Sequence, residues 1–483
     1  MEPCAVLHIA SMHGGGVDRH VRDIARNVPR PHLVWHVAER AEVLELPAGR
    51  RSLALDPAAV ERHGEAVDRV LRHARVGVLH VHAIARAARR RAAQLAGRTG
   101  LPTVVTLHDV LFLRPDALQP GAGIEPDSAW LAETSQFLRA AAAVLAPSEF
   151  VADLARRHVP GLEVAVVPNG SPPRRGAARL APRPAFAARR FGHVAAVLGA
   201  IGPHKGSAVL EELDTLLRGA DIAVVVIGYL DSQVPPGWHG ERLYVHGAYR
   251  DEDVPALLRA YGVRLALFPN RVPESFSYAL SDAWDAGVPA LVPAEGALAE
   301  RVRRHGGGWI LPPGAGAREI AAALAQRFGP EGAAELARVE SDLGRADDAR
   351  VPRLDAMTRS LDALYARFGI DPGAPLDAQA PEVQALLATN LDGALFREEL
   401  ARAADELAQL RAGLEAEREQ ARAWIAKLEK DVASLQSELG REVEARRAFA
   451  QENALLRDSK EAFDRLPAML RRVLLKKIRD ARG

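Results

Sequence analysis

Short apolar runs alternate with helix-length segments along most of the chain, and this alternation restricts the fold more than any other feature. The runs AVLHIA from Ala5, HLVWHVA from His32, VGVLHVHA from Val76, PTVVTLHD from Pro102, AAVLAPS from Ala142 and EVAVVPNG from Glu163 read as buried strands. Strand followed by helix, repeated, predicts a parallel sheet covered on both faces. A Pro- and Arg-rich linker from Ser171 to about Ala188 interrupts the pattern. It resumes with HVAAVLGAI at His193, IAVVVIG at Ile222, RLYVHGA at Arg242, VRLALFPN at Val263 and PALVPA at Pro289. Two α/β domains are therefore expected, over 1–175 and 176–345, then a helix at 346–368 and a linker at 369–395.

The last part of the chain is different. From about Phe396 it is rich in Ala, Glu, Leu and Arg, and Ile425, Leu428, Val432, Leu435 and Leu439 follow a 3-4-3-4 spacing. That pattern predicts a coiled coil over 396–460, which implies a partner helix or a second copy of the chain. In 461–483, Leu466, Leu470, Val473, Leu474 and Ile478 share one helical face, flanked by Arg471, Arg472, Lys476, Lys477 and Arg479. Such a face suits an anionic membrane surface, and it equally suits packing against protein.

Charge and composition exclude several classes. A net charge of +1 offers no global field for nucleic acid. A single cysteine, Cys4, forbids an internal disulfide, and the sequence has neither a basic, apolar leader nor eighteen consecutive apolar residues. A soluble cytoplasmic protein is expected. Basic residues are mostly Arg, and Lys205 is the only lysine before Lys427. A compact ammonium retained among guanidiniums marks a place where a planar fork would not fit.

Ligands of open parallel sheets bind beyond the carboxyl ends of the strands, so the loops leaving them hold the candidates. His13-Gly14-Gly15-Gly16 joins a strand to a helix, and its glycines let backbone N–H groups approach an anion. It is not the dinucleotide fingerprint, because Arg19 stands where a third glycine belongs. Gly202-Pro203-His204-Lys205-Gly206-Ser207 places lysine before glycine, the reverse of a P-loop, yet suits a diphosphate at a helix start. Pro273-Glu274-Ser275-Phe276-Ser277-Tyr278 leads into a helix carrying Asp282. Two acids eight residues apart lie about 12 Å apart along a helix, too far for an acid–base pair across one glycosidic bond, and suited to opposite ends of an extended ligand. His108-Asp109 leaves another strand, and its imidazole suits a sugar hydroxyl. His80 and His82 share a strand face without an acidic or Cys partner at metal spacing, so no metal site is expected.

Taken in order, these loops resemble the group 1 (family 4) retaining glycosyltransferases, over roughly residues 1–368. The match is carried by Gly14 to Gly16, Thr106-Leu107-His108-Asp109, Ala146-Pro147-Ser148, Val167-Pro168-Asn169-Gly170, Lys205-Gly206, and Glu274 with Asp282. The resemblance implies the GT-B fold, two Rossmann-like domains facing across a cleft, and transfer of a sugar from a nucleotide-sugar donor to a glycan or lipid-linked acceptor without a cofactor or required metal. It implies a role in bacterial cell-surface polysaccharide synthesis, at the inner face of the membrane if the tail anchors there. By the same resemblance Lys205 holds the diphosphate, Glu274 and the backbone of Ser275, Phe276, Ser277 and Tyr278 hold the donor sugar, Asp282 the ribose and His108 the sugar near the reacting carbon. Gly15 and Gly16 line the cleft from the other domain, and the base lies near Tyr244 to Tyr249. Two departures stand out: Ala200 where the family commonly has Arg, and Asp282 where it commonly has Glu. Arg271 is a candidate substitute for the missing charge. A non-catalytic GT-B scaffold working through the coiled coil is the alternative.

Overall fold

The computed structural model describes residues 4–11, 15–37, 42–46, 51–55, 60, 64–172, 180–231, 234–345, 349–370, 430 and 434–480. The first sheet contains β1 (Ala5–Ala10), β2 (His32–Val37), β3 (Glu42–Leu46), β4 (Arg51–Leu55), β5 (Val76–Val81), β6 (Thr103–Thr106), β7 (Ala143–Ala146) and β8 (Ala165–Val166). The second contains β9 (His193–Ile201), β10 (Ile222–Leu230), β11 (Gly237–His239), β12 (Leu243–Val245), β13 (Val263–Leu267), β14 (Ala290–Val292) and β15 (Gly308–Ile310). Their orders are β4-β3-β2-β1-β5-β6-β7-β8 and β11-β12-β10-β9-β13-β14-β15.

The apolar runs fall on strands, most of them buried on both faces, as in β1 and β5, while the edge strand β8 is partly exposed. The expectation of wholly parallel sheets fails at the edges. β3 and β4 pair antiparallel beside β2, and β11 pairs antiparallel with β12. A connection of four residues between β3 and β4 permits a hairpin and no crossover helix. What anchors β3 is an ion pair. Glu42, 2% exposed, accepts from Arg91 Nη2 at 2.7 Å and from Trp35 Nε1 at 2.7 Å. A buried carboxylate is tolerated because each of its partners is a donor.

The helix Leu354–Ala366 returns from the second domain to the first. Met357, Leu361 and Tyr365 pack with Val6, Ile24, Val78 and Leu145 from the first sheet and its α1 helix (Gly15–Asn27). Each such buried side chain contributes roughly 1.5–3 kcal/mol. The crossing is pinned at Gly170, where a Cβ would lie 2.5 Å from the Leu354 Cα, and by the Arg353 guanidinium on Asp285 at 2.9 Å. Arg30 likewise donates to Asp362 at 2.8 Å.

The segment from residue 394 forms a unit of its own. Residues 434–464 are helical, the chain breaks at Arg465 to Pro467, and a second helix spans Ala468–Asp480. Leu435, Leu439, Phe449 and Leu456 are exposed, each by more than 60%. Ile425, Leu428 and Val432, which begin the proposed heptads, lie outside the described residues. No helix among the described residues is long and apolar enough to cross a membrane.

Candidate functional site

In the second sheet β9 lies between β10 and β13, so the chain reverses its direction of winding there and a crevice opens beyond the carboxyl ends of β9 and β13. The loops at that crevice carry Lys205 and Glu274. Lys205 ends a single 3-10 turn, Pro203–Lys205, and Gly206 turns the chain into the helix Ser207–Leu216. The two loops are tied together, since the amides of Arg271 and Val272 donate to the His204 carbonyl. Lys205 Nζ stands 3.4 Å from Glu274 Oε1, which also accepts from Asn270 Nδ2 at 2.9 Å. Both side chains remain partly open to solvent. Arg271 is engaged through its guanidinium with the Ala315 carbonyl at 3.2 Å.

Gly206 is required in two ways. Its φ of +86° lies in the left-handed region, and a Cβ there would sit 2.2 Å from the Pro269 carbonyl oxygen. Gly206→Ala is expected to displace the Lys205 turn and to cost about 1–3 kcal/mol in urea denaturation.

The segment after Glu274 is held by the second domain itself. The Glu274 carbonyl accepts from Ala297 N at 2.8 Å, and Gly296 leaves room for that approach, a Cβ there falling 2.9 Å from Glu274 N. Ser277 has φ +73° and caps the helix Tyr278–Asp285, its Oγ accepting from Leu280 N at 3.3 Å. Arg301 is the clamp. Its guanidinium donates to the carbonyls of Phe276 (3.2 Å), Ser277 (2.9 Å) and Arg350 (3.3 Å) and to Ser281 Oγ (2.8 Å). Burial brings its pKa down to about 9. Arg301→Met leaves those carbonyls without a donor and is expected to lower stability by about 3 kcal/mol, read as a shift of the urea midpoint at unchanged slope.

Phe276 and Tyr278 are core residues, 2% and 9% exposed, so any contact they make with a ligand runs through their backbone. The first domain meets the second around this segment. Ser275 Oγ donates to the His108 carbonyl. A Cβ on Gly16 would touch Tyr278 Cδ2 at 3.6 Å, and Gly15, at φ +74°, has open space around it. Glu300 accepts from the amides of Glu149 (3.2 Å) and Phe150 (2.7 Å), capping the helix Glu149–His158 of the other domain.

Asp282 does not join Lys205 and Glu274. It accepts from Arg19 of the first domain at 3.0 and 3.4 Å, and that guanidinium lies over the Tyr278 ring at 4.2 Å. Burial pushes the Asp282 carboxyl up, and Arg19 pulls it the other way. Arg19 is the residue the sequence noted only as a departure from a glycine motif. A cavity of about 1200 Å³ opens behind the pair, lined by Arg22, Arg26, Asp251 and Asp285 among others, and includes neither Lys205 nor Glu274. Tyr249 stands nearby, its hydroxyl pushed up to about 12 chiefly by burial.

His108 belongs to a cluster of six buried imidazoles. Its Nε2 lies 3.0 Å from His82 Nδ1, His82 Nε2 lies 2.9 Å from His8 Nδ1, and His8 Nε2 lies 2.9 Å from His32 Nδ1. His32 Nε2 ends the chain at the Val28 carbonyl, 3.3 Å away. His80 bridges Tyr365 Oη and Thr106 Oγ1, both at 2.7 Å. His20 packs edge-on to His108, with ring centroids 4.7 Å apart, and neither of its nitrogens has a hydrogen-bond partner among the described residues. Burial lowers the pKa of all six, to about 3 for His80 and His108 and to about 4 for His32. Asp109 is pushed up to about 6 by the same cause. Two trios, His8 with His80 and His82, and His20 with His82 and His108, bring nitrogens within 4.8 Å of one another.

Comparison with known proteins agrees with this architecture. Residues 9–170 match the glycosyl transferase 4-like domain. No curated protein sequence matches the chain. Among solved structures it is similar to sucrose-phosphate synthase from Thermosynechococcus elongatus, with TM-score 0.55 and 16% identity over 75% of this chain and 98% of that one. It is also similar to Anabaena HepE in complex with UDP-glucose, with TM-score 0.53 and 17% identity over 75% of this chain and 99% of that one. At such identities the likeness defines the fold. The chain thus pairs a glycosyl transferase 4-like domain with the two-domain GT-B fold of glycosyltransferases.

Proposed function

We propose that the chain is a retaining glycosyltransferase that moves a sugar from a nucleotide-sugar donor to a glycan or lipid-linked acceptor, in bacterial cell-surface polysaccharide synthesis. The observation that carries this reading is the Lys205–Glu274 pair at the crevice between β9 and β13. In the reaction the bond from the anomeric carbon to the diphosphate breaks, the diphosphate leaves with the electron pair, and an acceptor hydroxyl forms the new bond and gives its proton to the departing diphosphate oxygen. The Lys205 ammonium faces the charge that develops on the leaving diphosphate. Glu274 accepts from sugar hydroxyls, and Asp282 takes the ribose once Arg19 has released it. HepE, on the same fold, is described in complex with UDP-glucose, which supports a nucleotide sugar as the donor. Incubation with UDP- and GDP-sugars and lipid-linked acceptors, with product analysis by mass spectrometry, tests the reading. Absence of both transfer and nucleotide binding across the panel would remove it.

The exposed face of Leu470, Val473, Leu474 and Ile478 beside a basic row supports placement at an anionic membrane surface, near lipid-linked acceptors. Flotation with vesicles containing phosphatidylglycerol checks this, since removal of 461–483 must abolish it.

A further inference from the structure

The four imidazoles from His108 to His32 are joined end to end, and the last of them rests on a group that only accepts. The Val28 carbonyl has no proton to give, so His32 Nε2 carries one. A neutral imidazole has one N–H, which leaves His32 Nδ1 bare, and it accepts from His8 Nε2–H. The same step repeats: His8 Nδ1 accepts from His82 Nε2–H, and His82 Nδ1 accepts from His108 Nε2–H. His108 Nδ1, on the far edge of the ring from His82, is therefore left as a lone pair. It has no hydrogen-bond partner among the described residues, and the backbone carbonyl of the same residue accepts from Ser275 of the donor loop. The His108 tautomer is thus set four residues away, at a backbone carbonyl.

We propose that His8, His32 and His82 are positioning residues that hold His108 as a hydrogen-bond acceptor, so that the donor subsite takes a neutral sugar presenting a hydroxyl there and rejects a sugar carrying a carboxylate. This rests on the donor-site reading above. A hydroxyl satisfies the lone pair, whereas a carboxylate sets acceptor against acceptor and leaves a desolvated charge unpaired. The discrimination expected is about 30-fold or more in affinity. His32→Phe removes the carbonyl-anchored end, frees both tautomers along the chain, and is expected to reduce the ratio to about threefold or less. His32→Asn keeps an acceptor where Nδ1 stood and is expected to restore most of it.

The test uses the full chain labelled with 15N-histidine. Long-range 15N–1H spectra are expected to show His108 neutral with its proton on Nε2, and calorimetry compares UDP, UDP-glucose with UDP-glucuronate, and GDP-mannose with GDP-mannuronate. Nδ1–H on His108, or 15N shifts and metal content revealing a stoichiometric ion held by His20, His82 and His108, overturns the proposal. So does equal binding of neutral and acidic sugars, or discrimination unchanged in His32→Phe. Failure of every nucleotide to bind, UDP and GDP included, removes the donor-site reading and the sugar half of the proposal together. Should His32→Phe not fold, the wild-type tautomer and the wild-type ratio decide alone.

Discussion

Lowering the pH from about 7.5 to about 5 is expected to unfold the first domain ahead of the second. The sign follows from six buried histidines whose pKa values in the folded chain lie below the ordinary 6.5. The unfolded chain then binds more protons than the folded one as soon as the pH drops under 6.5. Their stabilisation is complete above that value and is lost on the way down towards the folded values, about 4 for His32 and about 3 for His80 and His108. Each group removes up to about 1.4 kcal/mol per pH unit, so six of them at about pH 5.5 remove up to about 8 kcal/mol. A whole domain holds only about 5–15 kcal/mol. Asp109, pushed up to about 6, and Asp23, also raised by burial, work in the opposite direction, but as two carboxyls against six imidazoles. In the second domain His204 and His246 are also lowered, two groups against six. Hydrogen exchange read peptide by peptide from about pH 7.5 to 4.5 should show β1, β5 and β6 losing protection first. Loss of β9, β10 and β13 at the same pH or earlier would refute the assignment.

That acid sensitivity marks where the sequence was readable and where it was not. The strands were readable because a parallel strand buried on both faces must be apolar throughout, as AVLHIA and VGVLHV are, and the helices between them follow from the crossover each parallel pair needs. The closeness of Lys205 and Glu274 was readable because both sit in loops at the carboxyl ends of neighbouring parallel strands, and the structure brings them to one crevice. The histidine cluster was not. His80 and His82 announce themselves by spacing, but His8 joins them only through the register that sets it beside His80, and His20 and His108 arrive from a helix and a loop. Register is a property of tertiary pairing, invisible to spacing along one segment. The edge hairpin was missed for a related reason. Glu42 and Arg91 look like surface charges until β3 and the helix Arg86–Thr99 enclose them together.

The hydrogen bonds between the domains at the cleft run from Ser275 to the His108 carbonyl, from two amides to Glu300 and from Arg19 to Asp282, while Val272 packs into the apolar core of the first domain. They differ in what a ligand must overcome. Lys205 and Glu274 are partly solvated, and an ion pair of that kind contributes about 0–1 kcal/mol. The Arg19–Asp282 pair is more enclosed, with side-chain exposures of 12% and 17%, and lies over an aromatic face. Lys205 is therefore drawn from Glu274 more easily than Arg19 from Asp282.

Lys205→Ala is accordingly expected to lower kcat/KM for donor transfer by about 10²–10³-fold, the effect of deleting one group that stabilises charge developing in the transition state. The same substitution should leave stability within about 0.5 kcal/mol, since Lys205 is a third exposed and its one ion pair is weak. Glu274→Ala is expected to cost as much in kcat/KM through loss of the sugar contact, and to release both Lys205 and Asn270 from their shared acceptor. Because Lys205 and Glu274 touch, the double variant is expected to lose less than the product of the two single losses, whereas Lys205→Ala combined with a distant change should multiply. Arg19→Ala separates the two cations: if Arg19 only holds Asp282, its removal tightens nucleotide binding, and if it also meets the diphosphate, binding weakens and Lys205→Ala/Arg19→Ala falls to background. Steady-state kinetics for these variants and the parent protein, with urea unfolding as control, decides among these. A Lys205→Ala enzyme with unchanged kcat/KM would mean that the ammonium at the crevice of β9 and β13 does not face the leaving diphosphate.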